Sequence, residues 1–307
     1  MKSIILTVAV GLMVGCATNN YIEAPMVTKE IESPTAAWIG LISSLAPEKA
    51  TVVPAKPRRV LVFSLATGFK HIVAPHVKEV IEVLGDKTGA FRVEFSDDIS
   101  VFEKESLAQY DAILMNNVCP DRAKRDLFWD VLKDEQKAAE LEANLIEYVA
   151  GGGGLVVVHG AIAFQINSPA VSEMIGGSFD WHPKFQTVTL ELVDPKHPLV
   201  AVFKGRGFVH QDEPYLFKNA YREKNFRPLL VMDVSKLDPE TFKKKGVADD
   251  VRYVAWIKSH GEGRVFYCSP SHHPSSYESE AMLRFLLDGI QYAVGDLQCD
   301  DSPIGPK

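Results

Sequence analysis

The chain has 307 residues, a formal net charge of -7 and a pI near 5.7, with 46% hydrophobic and 24% charged residues. That length suffices for one large domain with a full core, or for two modest ones. No basic excess is available to neutralise a phosphate backbone, which argues against a nucleic-acid partner and for small-molecule chemistry.

The opening stretch "MKSIILTVAVGLMVGC" holds one Lys followed by apolar or small residues, a run too short to span a bilayer but suited to the core of a secretory signal. Small residues just before Cys16 resemble a bacterial lipobox, in which that Cys is lipidated and becomes the mature N-terminus; Met13 stands where Leu is commonest. Ala17 follows, with no Asp to hold the protein at an inner membrane. The expectation is an exported protein, lipid-anchored to the cell envelope through Cys16 on the periplasmic side of an outer membrane. Residues 17–57 carry Pro25, Pro34, Pro47, Pro54 and Pro57 without sustained periodicity, and are expected to form a tether with one short helical turn near "TAAWIGLISSL".

Regular alternation then begins. "RRVLVFSLA" (58–66) reads as a buried strand, and "APHVKEVIEVLGDKTG" (74–89) has helical spacing at Val77, Val80, Ile81 and Leu84. "FRVEFSD" (91–97) and "YDAILMNNV" (110–118) read as strands. "DEQKAAELEANLIEYVAGG" (134–152) opens with acids and closes in glycines, the polarity of a helix, and "LVVVHG" (155–160) is the next strand. This β-α-β-α-β series with continuously apolar strands predicts an α/β fold, a parallel sheet with helices on both faces. The second half adds strands at 185–193, 227–234, 252–258 and 263–269 and an amphipathic helix at 279–294, and the tail 296–307 is expected to be disordered. There is no internal repeat.

In open α/β sheets ligands bind beyond the carboxyl ends of the strands, so polar residues that follow strands are the candidates. His71 follows the first strand, His159 ends a central one, and His272 follows "GRVFYCSPS". His182 lies in "FDWHP", and Asp212 and Glu213 lie in the aperiodic "VHQDEPY". His210 is a further candidate. His76, beside Pro75, reads as surface, His197 as a turn residue and His260 as part of a hairpin loop. Neighbouring side chains on extended backbone point apart, so at most one of His272 and His273 faces a site. Cys119 and Cys268 adjoin apolar runs and read as core thiols; with Cys299 they form neither a zinc knuckle nor a disulfide framework.

"TGFKH" (67–71), "GGGLVVVHGA" (152–161), "FDWHP" (179–183), "DEPY" (212–215) and "AWIKSHGEGRVFYCSPSH" (255–272) resemble, in order, the successive motifs of ThuA-like proteins, named for trehalose utilisation. The resemblance covers residues 58–295. It implies a single domain with the flavodoxin-like three-layer sandwich and mostly parallel central sheet of class I glutamine amidotransferases. Pro214 replaces the usual Leu between Glu213 and Tyr215, and "SPSHHP" is a loose match to the family's Gly-His turn.

The amidotransferase elbow carries a catalytic Cys, but here the corresponding region reads Val158-His159-Gly160, and no G-x-S-x-G occurs. Two chemistries remain open: a divalent transition metal, zinc or similar, held by His71, His159, His182 and His272, or acid-base catalysis by His159, Glu213 and His71. Phe69, Trp181, Asp212 and Tyr215 adjoin these positions and are candidates for substrate contact. The resemblance implies action on oxidised, 3-keto glycosides or disaccharides by isomerisation, elimination or hydrolysis. The alternative is a carbohydrate-binding lipoprotein without turnover on the same scaffold.

Overall fold

The computed structural model describes residues 20–28, 30–242, 252–270 and 272–304. Cys16 and the signal-like segment lie outside them. Chain order begins with β1 (Tyr21–Glu23), α1 (Ala36–Leu45), β2 (Arg59–Phe63), α2 (Ala74–Thr88), β3 (Arg92–Ser96), α3 (Lys104–Leu107) and β4 (Ala112–Asn116). It continues through α4 (Leu127–Leu132), α5 (Glu135–Ala150), β5 (Gly154–Val158), α6 (Pro169–Ile175), β6 (Ser178–Trp181), β7 (Gln186–Leu192) and β8 (Gly207–Asp212). It ends with β9 (Leu216–Lys218), β10 (Arg227–Met232), β11 (Arg252–His260), β12 (Gly263–Cys268) and α7 (Glu280–Ala293).

Ten strands form one sheet in the order β1-β8-β7-β10-β11-β12-β5-β4-β2-β3, and β6 and β9 pair as a separate ribbon. The half from β12 to β3 is parallel throughout, and the order reverses between β2 and β4. The other half is antiparallel except where β1 lies parallel to β8.

Strand alternation builds two cores. Val60, Val62, Leu114, Val156 and Val158 face α2 and α7, while Leu61, Phe63, Ile113, Met115, Leu155 and Val157 face α4, α5 and α6. Every residue of β4 and β5 is buried, so Ala112–Met115 and Leu155–Val158 read as unbroken apolar runs. Each valine so buried contributes roughly 1.5 kcal/mol by apolar transfer. The helices stop where their caps dictate: Asp134 accepts from the backbone N–H of Gln136 and Lys137 to start α5, and Gly89 ends α2 in the left-handed region at φ 64°.

Three expectations are corrected. Residues 20–57 are not a free tether: β1 extends the sheet, Ile42 of α1 is buried, and Gln291 of α7 exchanges hydrogen bonds with the backbone of Thr51 and Val52. Proline removes a ladder donor but does not prevent an extended chain from being pinned by its other groups. Residues 296–304 are also held, through Arg58 to Asp296, Tyr292 to Asp301 at 2.7 Å and His197 to the Asp300 carbonyl at 3.0 Å. His76, expected on the surface, is buried edge-on against Trp38 of α1, because the N-terminal segment covers it.

Candidate functional site

The site forms at the carboxyl edge of the sheet. His159 follows β5 with φ 46°, a conformation costly for a side-chain-bearing residue, and this turns its ring out of the strand direction. Its Nδ1 donates to the Ser269 carbonyl at 2.7 Å, which leaves Nε2 with its lone pair facing the cavity. Gly160 follows because nothing larger fits: a Cβ there would lie 2.3 Å from Cε1 of His71. Asn117, at the end of β4, is also left-handed at φ 53°, and its Oδ1 accepts from the Gly160 N–H.

Glu213 and His272 come from opposite ends of the chain's second half and are joined by Asp212. One Asp212 oxygen accepts from both the Glu213 N–H at 2.8 Å and the His272 N–H at 2.9 Å, while its other oxygen lies 3.4 Å from His210 Nδ1. Glu213 Oε2 then sits 3.0 Å from His272 Nδ1, 3.7 Å from His159 Nε2 and 3.6 Å from His182 Nε2. His272 Nδ1 lies 3.3 Å from His159 Nε2.

One ligand atom from each of His71, His159, Glu213 and His272 falls within 4.8 Å of the others, so this His/Glu group could hold a metal ion. Burial, with the neighbouring His159 and His272, pushes His71 down to about 2 and keeps it neutral. Burial alone would raise Glu213, but the imidazoles of His159, His272 and His182 around it outweigh burial and hold the carboxyl well below its usual range. Burial likewise opposes protonation of His272, yet the hydrogen bond to Glu213 wins and raises it. Three imidazoles and one ionised carboxylate are the donor types that divalent transition metals take.

The structure redistributes the expected roles. Glu213 stands in the four-donor group, and His182 lies outside it against Glu213. Asp212 is buried and engaged with backbone, so it positions its neighbours and does not face substrate. Tyr215 is also buried, its hydroxyl 3.3 Å from His71 Nε2 and its ring 4.3 Å from that of His159, so it packs beneath the histidines. Trp181 is half-buried against the core. Phe69 alone of the proposed contact residues is well exposed, at 59%, with its ring 4.7 Å from His71. His272, not His273, joins the group; His273 caps the turn at Ser275. His210 lies behind the site, hydrogen-bonded to Ser276 at 2.9 Å.

Sequence reasoning missed Cys119 and Phe185. Cys119 Sγ lies 3.6 Å from His71 Nδ1 and donates to the Gly160 carbonyl, and burial pushes its thiol up to about 12, so it is no nucleophile near neutrality. Its position three residues past β4 carried no such signal. Phe185 is exposed, with its ring 6.0 Å from His272. As the first residue of the expected strand at 185–193, it offered nothing to mark it.

The sequence profile of the ThuA family, described as trehalose utilisation, matches residues 59–293. Among solved structures, a ThuA-like protein from Bacteroides uniformis superposes with a TM-score of 0.55 at 21% identity, covering 78% of this chain and 93% of that one. A ThuA-like protein from Parabacteroides merdae gives 0.54 at 20% identity, covering 78% and 91%. A cytoplasmic protein from Salmonella typhimurium gives 0.51 at 13% identity, covering 76% and 99%. At these identities the likeness establishes fold. No curated protein matches the sequence.

Proposed function

Because the chain belongs to the ThuA family, we propose that it is a metal-assisted enzyme acting on glycosides or disaccharides that carry a ketone, by isomerisation, elimination or hydrolysis. The observation that carries this reading is the convergence of His71, His159, Glu213 and His272 from four separate segments onto one point. The Ser269 carbonyl supports it independently by fixing the tautomer of His159. A divalent transition ion such as zinc, held by these four, would supply Lewis-acid polarisation of the substrate's carbonyl.

The chain's own proton chemistry falls to His182. Its Nδ1 donates to the Pro183 carbonyl at 2.8 Å, so the neutral ring presents the Nε2 lone pair beside Glu213. That nitrogen is placed to take the C–H proton next to the ketone. The C–H pair becomes a new C=C bond as the C–O bond one carbon further on breaks, and the proton passes to the departing oxygen. Glu213 stays ionised throughout and stabilises the imidazolium of His182. No acyl intermediate is required, in keeping with a buried, protonated Cys119. We also propose that the protein is anchored at the cell envelope through Cys16, which the lipobox-like stretch before that residue supports.

Metal analysis of untagged protein tests this directly, with about one divalent ion per chain expected. His159→Ala should lower metal content and reduce turnover of keto-glycosides by about a hundredfold or more while unfolding stays cooperative. Turnover by metal-free wild type would remove the ion from the mechanism. A fully active His159→Ala would remove the site.

A further inference from the structure

The sheet's order reverses between β2 and β4, and in parallel sheets that reversal opens a crevice beyond the strand ends where ligands bind. Here a pocket of about 260 Å³ occupies it, lined by Ser64, Ala66, Lys70, His71, Asn116 and Asn117 among others. Its floor is rigid. Asn116 donates to Ser64 Oγ at 2.8 Å and to the Ala74 carbonyl at 2.9 Å, and Asn117 donates to Asn116 Oδ1 at 3.0 Å. Because Ser64 Oγ accepts from Asn116, its own proton is left for a ligand. The lining contains no carboxylate, so Lys70 gives the crevice donors suited to electron-rich oxygens.

The rings around the cluster form a row. Phe69 lies 4.7 Å from His71, His71 lies 5.4 Å from His272, and His272 lies 6.0 Å from Phe185. Exposed aromatic faces thus stand at both ends with the metal-binding histidines between them. Sugar rings present C–H faces that pack on such aromatics and hydroxyl edges that take charged donors.

We propose that the crevice between β2 and β4 is the subsite for the reacting sugar ring, read by Lys70 of its lining and by the exposed Phe69 that packs on His71, and that Phe185 forms a second subsite for the leaving group. This rests on the keto-glycoside reading above. The substrate lies along the row, with the bond to be broken over the cluster. Lys70 and Phe185 set specificity at opposite ends.

The test uses the full chain with its metal and two probes, methyl and nitrophenyl 3-keto-glucoside. Lys70→Met should raise KM for both about tenfold, the loss of one charge-assisted hydrogen bond, with kcat and metal content little changed. Phe185→Ala should raise KM about three- to tenfold for the nitrophenyl compound alone, the loss of a ring contact. Wild-type KM values in Lys70→Met, or equal effects of Phe185→Ala on both probes, would overturn the assignment. If wild type turns over neither probe, the proposed reaction fails, and saturation-transfer NMR with the same compounds then decides the subsites. Binding of both that depends on Lys70, with a nitrophenyl excess that depends on Phe185, sustains them. Absence of binding refutes them as well.

Discussion

Gly160 shows how little slack the site has. Its requirement is one of space, since a methyl group there would collide with the His71 ring from 2.3 Å. His71 cannot retreat freely, because Tyr215 bounds it at Nε2 and Cys119 at Nδ1. Gly160→Ala should therefore displace a ligand, not merely crowd one. Expected outcomes are metal affinity lowered at least about tenfold and a stability loss of about 1–3 kcal/mol from overpacking, read by equilibrium dialysis and thermal unfolding. Unchanged metal affinity would show that His71 is not a ligand. The roles of individual residues were only partly legible in sequence. His159 announced itself because a buried strand ended on it before two small residues. Asp212 and Tyr215 did not, because a polar or aromatic residue beside a site looks the same whether it faces the ligand or braces the groups that do.

The elements most plainly legible are those buried on both faces or strongly periodic, β2, β4, β5, α2, α5 and α7, and the expected strands at β3, β7, β10, β11 and β12 also form. β6 and β9 were missed because they are short, and β8 because it mixes buried polar residues into its run. The N-terminal segment was misread because proline punctuation resembles a linker, although it is fastened side chain by side chain to α7. That fastening has a pH dependence. Burial raises Asp288 of α7 to about 6, against the opposing hydrogen bond from Thr51. A carboxyl whose folded value lies above its unfolded one of 3.8 favours the folded state most below that value, and the contribution is lost as pH rises through about 6. Asp288→Asn keeps an acceptor for Thr51 and removes the buried charge. It should be more stable than wild type by about 2–3 kcal/mol at pH 8, with the gap closing below about pH 4. Thermal melts across that range provide the measurement. An Asn variant less stable at pH 8 would show that the charged form is the favoured one.

Across the whole molecule, the sheet has a direction. β8 is antiparallel to β7, β7 to β10, β10 to β11 and β11 to β12, while β12 is parallel to β5; β8 therefore runs with the central strands. β1 runs parallel to β8, so the chain enters at the amino edge of the sheet and the His/Glu group that could hold a metal lies at the carboxyl edge. If Cys16 carries the lipid, four peptide links separate it from Asn20, a reach of about 14 Å at full extension. With so short a link, a lipid on Cys16 would keep the amino edge next to the bilayer and leave the site opening away from it. Among the described residues no helix is long and apolar enough to cross a membrane. The expected result is that wild type fractionates with membranes and is released only by detergent, while Cys16→Ser appears in the soluble fraction with turnover per molecule unchanged. The unchanged turnover matters, because it separates an anchor from a part of the catalytic body. Soluble wild-type protein that retains Met1 would show that the segment is neither cleaved nor lipidated, and the orientation argued from the sheet would then have no membrane to refer to.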